Sequence, residues 1–462
     1  MADAITTVEA ALTRALGPLH DALQDGKTVP RIGVAFSGGI DSTALLQSAA
    51  ALHRRGSIAV FAFHIHHGLA AAADDWLVHC RDQSAAFGVA FDAEHVVLAA
   101  TGSSIEAQAR TLRYAALARL CRRHDCTVLL TAHHADDQAE AVLLNLARGA
   151  GIGGLAATAR SRRMEEILLL RPLIDLPAAV LRTAVIDAGL SFVDDPSNQD
   201  RRYTRNAIRH EVMPALRRIV PTIATRLAQT ATHASTMQGL LDDIGLEDLR
   251  SPDTNDDELD VERLGSLSEA RAANALRVWI ARRGMRAPTA AALKEMLDQL
   301  LHASSDAQIA LLHERHTLRL YRGRVSVDAS GAPHAGFVSL AWRGEAELTV
   351  PAWHGSLVFT TTDGPGFAPD ALRAGPLVLR ERRGGERLRM RTGGPSRTLK
   401  NLYQEAGVAM WRRARLPLVY LGDRLIYAAG IGANADCLHA GGEGTALIAI
   451  DWRPDDEQRA RM

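Results

Sequence analysis

Lysine is almost missing from this chain. Of 53 basic residues in 462, only Lys27, Lys294 and Lys400 are lysine, a bias expected of a GC-rich genome more than of any chemistry. Cysteine is scarce as well. Cys80, Cys121, Cys126 and Cys437 form no Cys-x-x-Cys pair. This argues against a disulfide framework, a zinc ribbon and the ligand set of an iron–sulfur cluster. No apolar run reaches the length of a membrane span, and the opening MADAITTVEA lacks the basic start and apolar centre of a secretion signal. The expected location is therefore the cytoplasm. Net charge is also absent, with 53 acidic residues against 53 basic ones, so the bulk balance gives no sign of a polyanionic partner.

What is present is alternation. IGVAF (32–36), IAVFAFHI (58–65), HVVLA (95–99) and TVLLTA (127–132) read as strands. Each leads into a helical stretch: to about residue 53, over 73–87, over 103–124, and through DDQAEAVLLNLARG. Repeated strand–helix units predict an α/β domain built on a parallel sheet with helices on both faces. Such folds bind ligands beyond the C-terminal ends of their strands. The turn at 37–39, His64 to His67, and His133 to Asp137 all fall at that edge. Further helices are expected over LPAAVLRTAVIDAGL, with Pro177 in a first turn, and over RNAIRHEVMPALRRI. From about 221 to 301 the pattern is helical, broken by an acidic loop at 247–260. Short alternating segments dominate from about 307, with one helix near 397–407. The predicted domains are an α/β catalytic domain at 1–218, a mainly helical one at 219–330 and a β-rich basic one at 331–462.

The stretch Ser37-Gly38-Gly39-Ile40-Asp41-Ser42 lies between a strand and a helix. Glycines let backbone N–H groups turn toward an anion, and the helix start adds free N–H groups and a positive dipole end. Asp41 would repel a phosphate directly, so a bridging Mg²⁺ is its natural partner. A tight turn capped by Asp41 or Ser42 is the plain alternative. The Walker pattern with its lysine is absent. Downstream, His133, Asp136, Asp137 and Glu140 are spaced to share one helix face. Three carboxylates together call for a cation, either Mg²⁺ or an amine, or else they simply decorate a first turn. Ser103 and Glu106 form a capping-box pattern, and Glu106, Arg110 and Arg113 make one helical stripe. The two arginines suit a carboxylate or phosphate, or a surface ion-pair row. His64, His66 and His67 read as pocket lining rather than a metal cluster.

Taken together, SGGIDS (37–42), HIHHGL (64–69), IEAQARTLRY (105–114), TAHHADDQAE (131–140), LLNLARGAGIGGLA, RPL (171–173) and DDPSNQDRRYTRNAIRH (194–210) resemble the tRNA(Ile)-lysidine synthase family, a branch of the PP-loop ATP pyrophosphatases. RERRGGERLRM, SRTLKNLYQEAGV and WRRARLPLVYLGDRLIYAAGIG, within 380–432, resemble the C-terminal domain of the family's long form. The resemblance implies an adenine nucleotide alpha hydrolase-like catalytic domain. It implies ATP and Mg²⁺, free lysine, and an isoleucine tRNA with a CAU anticodon. The wobble cytidine would be adenylated and then joined to lysine. On this reading residues 37–42 bind ATP, and Asp41 and Asp136 bind the metal. Asp41, Arg110, Arg113, His133, Asp137 and Glu140 are catalytic.

The neutral total hides a local excess. Residues 380–424 carry twelve Lys/Arg against four Asp/Glu, and 201–218 hold Arg201, Arg202, Arg205, Arg209, Arg217 and Arg218 against Glu211 alone. These are the expected RNA-phosphate contacts, with Arg205, Arg209, Arg387, Arg389, Arg397 and Lys400 as candidates. The rival readings are a tRNA thiolase, which needs the missing cysteine pairs, and a noncatalytic tRNA-binding protein, which has no use for the carboxylates.

Overall fold

The computed structural model describes residues 3–22, 29–66, 68, 72–97, 105–250, 258–303, 309–329, 337–441 and 446–455. The chain divides into two compact units, Met1–Leu240 and Leu241–Met462.

Unit 1 begins with helix α1 (Ala4–Ala22), followed by β1 (Arg31–Ala35), α2 (Ile40–Arg54), β2 (Ala59–His66), α3 (Ala73–Ala86), β3 (Ala90–His95), α4 (Ile105–Arg123) and β4 (Val128–Leu130). Then come α5 (Ala135–Ala147), α6 (Ile152–Leu155), β5 (Ser161–Met164), β6 (Ile167–Leu170) and α7 (Ala178–Asp187). The sheet order is β3-β2-β1-β4-β6-β5. All neighbours are parallel except the edge hairpin of β5 and β6. Alternation along the strands supplies two cores. Ile32, Val34, Val60, Val128 and Leu130 face α1, α2 and α7, whereas Phe63, Leu129, Ile167 and Leu169 pack with Leu117, Leu120 and Cys121 of α4. β1 lies at the centre, and the chain moves to one side through β2 and β3, then to the other through β4. The ends of β1 and β4 are therefore neighbours at the point where strand order reverses, the usual ligand crevice of an open α/β sheet.

Two expectations need correction. The third strand is Ala90–His95 rather than 95–99, and Val97 is almost fully exposed. As the sheet edge, β3 hydrogen-bonds one neighbour only and needs no continuous apolar run. Pro177 precedes α7 as its N-cap instead of sitting in its first turn. His67, Ser103 and the side chain of Glu106 lie outside the described residues.

A helix then returns to the sheet edge as α8 (Thr204–Ala207), a π-helical turn (Ile208–Val212) and α9 (Met213–Ile219). The long helix α10 (Ile223–Leu249) follows. Its first half belongs with unit 1 because Ile223, Ala224 and Leu227 pack with Ala139, Leu143, Ile208 and Met213.

Unit 2 holds two separate apolar cores. The first joins β7 (Leu259–Asp260), α11 (Val261–Gly265), α12 (Glu269–Arg282) and α13 (Ala290–Leu301) to an antiparallel sheet. That sheet also contains β8 (Ala310–His313), β9 (His316–Tyr321) and β10 (Arg324–Ala329), in the order β7-β10-β9-β8. The second core lies among β11 (Val338–Leu340), β12 (Glu347–Val350), β13 (Gly355–Thr362), α14 (Pro369–Arg373), β14 (Leu377–Arg380), β15 (Arg387–Leu388) and β16 (Arg397–Thr398). It is completed by α15 (Leu399–Glu405), α16 (Met410–Arg413), β17 (Leu418–Leu421), β18 (Arg424–Ala428), β19 (Gly432–Ala433) and β20 (Leu447–Pro454). Among the described residues no helix is long and apolar enough to cross a membrane.

Candidate active site

The loop after β1 is clipped shut by its own serines. Ser42 Oγ donates to Gly39 O at 2.9 Å and receives the Ser37 backbone N–H at 3.3 Å, and the two hydroxyls are 3.1 Å apart. Gly38 has φ +81°, and a Cβ there would meet Cys80 Sγ at 3.0 Å and Val193 Cγ2 at 3.2 Å. Both the left-handed backbone and the close packing require glycine. The Val193 N–H donates to Gly38 O at 2.8 Å, tying the loop to the segment before α8. Gly39 is the N-cap of α2 and offers no side-chain cap. The plain cap by Asp41 or Ser42 is therefore not made, and the first-turn N–H groups remain open to an anion.

Across the crevice, α5 is capped by His134. The Asp137 N–H donates to His134 Nδ1 at 3.3 Å, and the His134 N–H donates to Asp137 Oδ2 at 3.1 Å. His134 Nε2 lies 3.5 Å from Asp41 Oδ2 and 3.5 Å from Asp137 Oδ2, so this ring links the glycine loop to the acidic helix. Burial alone would lower its pKa, but Asp137, Asp41 and Asp136 outweigh burial and push it up to about 9. The cap onto Nδ1 needs a neutral ring, so charging His134 costs α5 that bond. His133 is the opposite case. Burial, opposed by Asp137 and assisted by Arg171, Arg205 and Arg110, lowers it to about 4, which leaves it neutral. Its Nδ1 is 3.0 Å from Thr131 Oγ1.

The carboxylates are matched by arginines of the returning helix. Glu140, only 2% exposed, accepts from Arg205 Nε at 2.8 Å, Arg209 Nε at 2.6 Å and Arg209 Nη2 at 3.0 Å. Asp137 Oδ1 accepts from Arg205 Nη2 at 2.8 Å. Burial opposes the charge on Asp137, but His134 and Arg205 prevail and hold its pKa below the usual carboxylate value. Asp136 accepts from the Ala178 N–H at 2.7 Å and pairs with Arg217. The π-helical turn explains how one helix reaches both ends of this acidic face. At about 100° per residue, an α-helix would place position 217 roughly 120° from position 205. One extra residue in a turn removes about 100° of that, returning Arg217 to the same side.

The structure thus gathers Ser37 to Ser42, His133, Asp136, Asp137 and Glu140 at one edge. Arg205 and Arg209, expected to face RNA, pair with Glu140 and Asp137 while keeping about a third of their side chains exposed. Arg110 is exposed on α4, 5.5 Å over the Tyr114 ring, and close enough to bear on His133. Arg113 is exposed one turn further on. His64 and His66 are buried at the end of β2, and His64 Nδ1 is 3.0 Å from Phe36 O. Burial pushes the Cys80, Cys121 and Cys126 thiols up to about 12, which makes them poor sulfur carriers. In unit 2, Arg387 donates to Ser396 Oγ at 3.2 Å, Arg389 lies 3.4 Å from Asp436, Arg397 pairs with Glu405, and Lys400 is exposed. The sequence reading missed His134 and Arg217 as site residues. His134 stood beside His133 in the quoted motif, and Arg217 in the arginine-rich run, without a spacing to single out either.

A glycine loop and an acidic helix facing each other at the switch point of a parallel sheet define a PP-loop nucleotide enzyme, and residues 7–216 match the PP-loop domain family. Residues 259–326 match the TilS substrate binding domain, and 377–452 match the TilS substrate C-terminal domain. Among curated relatives, the tRNA(Ile)-lysidine synthase of Burkholderia pseudomallei is 41% identical over 97% of this chain and 98% of its own. That of Ralstonia nicotianae is 42% identical over 89% and 91%, and that of Methylococcus capsulatus 36% over 91% and 96%. The chain belongs to the tRNA(Ile)-lysidine synthase family.

Proposed function

We propose that this chain joins free lysine to C2 of the wobble cytidine of an isoleucine tRNA with a CAU anticodon, at the expense of ATP. In the first step O2 of the cytosine attacks the α-phosphorus, and the bond to the β-phosphate oxygen breaks to release pyrophosphate. In the second, the lysine ε-nitrogen attacks C2, the C2–O bond breaks, AMP departs with the electron pair, and the nitrogen loses a proton.

The observation that carries this reading is the convergence of the glycine loop, with the uncapped start of α2, and a charged carboxylate helix on one crevice. The N–H groups of the first turn of α2 would face developing charge on the phosphates, with Gly39 joining them by giving up its long bond to Ser37 Oγ. Arg110 and Arg113 suit a phosphate or the lysine carboxylate. Asp137, held ionised, would have to yield its bond to Arg205 to receive the lysine ammonium; there it can take the proton the ε-nitrogen must shed before it attacks C2, the second proton leaving once the C2–N bond has formed. Glu140 stands behind it, fixing Arg205 and Arg209. The target base belongs to a single-stranded loop, so it can enter a pocket at modest cost.

The donor set suits Mg²⁺. Among the described residues no group of three or more His, Cys, Asp or Glu could hold a metal alone, and Mg²⁺ commonly takes one or two carboxylates plus substrate phosphates. Asp41, with a side chain 37% exposed, leaves an oxygen for it. Asp136 would join only by yielding its bonds to Ala178 and Arg217. Bound there, the ion would neutralise phosphate charge.

Incubation with ATP, labelled lysine and a CAU isoleucine transcript should place label in the tRNA with one AMP per lysine. Asp41→Ala should lower AMP formation at least ~100-fold, the scale of losing a key electrostatic group, and leave tRNA affinity largely unchanged. Intact ATP binding with no label transferred would sink the proposed reaction.

A further inference from the structure

The most basic stretch of unit 2 is organised around an acidic residue. In the loop Glu381-Arg382-Arg383-Gly384-Gly385-Glu386, the Glu386 side chain is 10% exposed. Its Oε1 accepts the Arg383 N–H at 2.5 Å and the Gly384 N–H at 3.0 Å, and its Oε2 is also 3.0 Å from the Gly384 N–H. Gly384 and Gly385 have φ of +96° and +85°, with nothing within 4 Å of a Cβ at either. With positive φ at Gly384 and Gly385 the turn brings the Arg383 and Gly384 N–H groups together, a convergence of the kind that binds anions, and here the protein fills it with its own carboxylate. Arg382 Nε lies 3.7 Å from Glu386 Oε2. Arg380 stacks over Tyr420 at 4.9 Å, and Arg383 and Arg387 are exposed around the rim. Glu386 O also accepts the Leu399 N–H at 2.9 Å, which joins the loop to the start of α15.

We propose that Glu386 is a positioning residue for RNA. It folds the 381–386 loop so that Arg383 stands out toward a phosphodiester backbone, beside Arg387, which Ser396 holds at the start of β15. This rests on the reading of the chain as a tRNA enzyme. Electrostatics alone gives the opposite result, because removing a negative charge from a basic face strengthens binding to a polyanion.

The test is binding of the full chain to a CAU isoleucine transcript across a salt series. Glu386→Ala should weaken binding ~10-fold and reduce the steepness of the salt dependence by about one unit, the mark of one lost phosphate contact. Glu386→Gln keeps an oxygen acceptor for both N–H groups and should stay within ~3-fold of the parent. The double change Gly384→Ala with Gly385→Ala alters no charge but opposes the backbone, and should weaken binding as Glu386→Ala does. ATP binding should be unchanged in all three. Binding by Glu386→Ala equal to or tighter than the parent overturns the proposal, as does an unaffected double-alanine variant. A parent chain that does not bind the transcript removes the tRNA reading itself, and the proposal with it.

Discussion

In unit 1, Arg205 and Arg209 meet carboxylates whose side chains are 3% and 15% exposed. In unit 2, Arg397 meets Glu405 with 36% and 59% of the two side chains exposed. The residue types are the same and the geometry is similar. The surroundings differ, and they decide what each pair does. A buried pair in a weakly screening interior is a fixed structural element whose disruption strands a charge. An exposed pair is screened by water and salt and contributes little to stability, so its arginine remains available to an anion that arrives later.

Three substitutions grade this contrast. The largest effect belongs to Glu140→Ala, which leaves two guanidiniums facing a hole. It should lower unfolding free energy by about 3 kcal/mol, the usual cost of breaking a buried pair, and reduce lysidine formation sharply. Denaturant titration and the labelled-lysine assay would read both. A stable, active Glu140→Ala enzyme would remove the distinction between the units. Asp136 and Arg217 form the intermediate case, with 13% and 44% exposure. A double-mutant cycle of Asp136→Asn and Arg217→Ala should give a coupling of about 1 kcal/mol. A coupling near zero would mean that the π-helical turn does not serve to align Arg217. The smallest effect belongs to Arg397→Ala, for which thermal unfolding should show no shift while tRNA affinity falls at low salt. A clear drop in melting temperature there would break the comparison from the other side.

The parts of the site that the sequence showed are those set locally. Two adjacent glycines between a strand and a helix dictate a loop, and the offsets among His133, Asp136, Asp137 and Glu140 follow from helix geometry alone. The α/β alternation survived for the same reason, because each unit carries its own pattern. What could not be read depends on distant chain. Glu140 and Arg205 are 65 residues apart, so no local spacing announces their pair, and Arg217 reaches Asp136 through the rotation introduced by residues 208–212, for which IRHEV gives no signal. Arg205 and Arg209 were accordingly placed on an RNA-facing surface. The third strand was misplaced because an edge strand with residues AFDAEH lacks the apolar run that marked its neighbours. The division of the chain inside α10 was hidden because a continuous helix carries no boundary in its pattern.

Arg205 and Arg209 pair with the carboxylates of α5, beside the place where the proposed reaction receives a substrate ammonium. A lysine in either position would supply a tethered primary amine beside an electrophilic carbon, and its high local concentration would favour attack by the enzyme on its own activated RNA. A guanidinium keeps its proton at any physiological pH and has no lone pair to give. On the proposed reaction, a guanidinium at these two positions cannot compete with the substrate amine as a nucleophile.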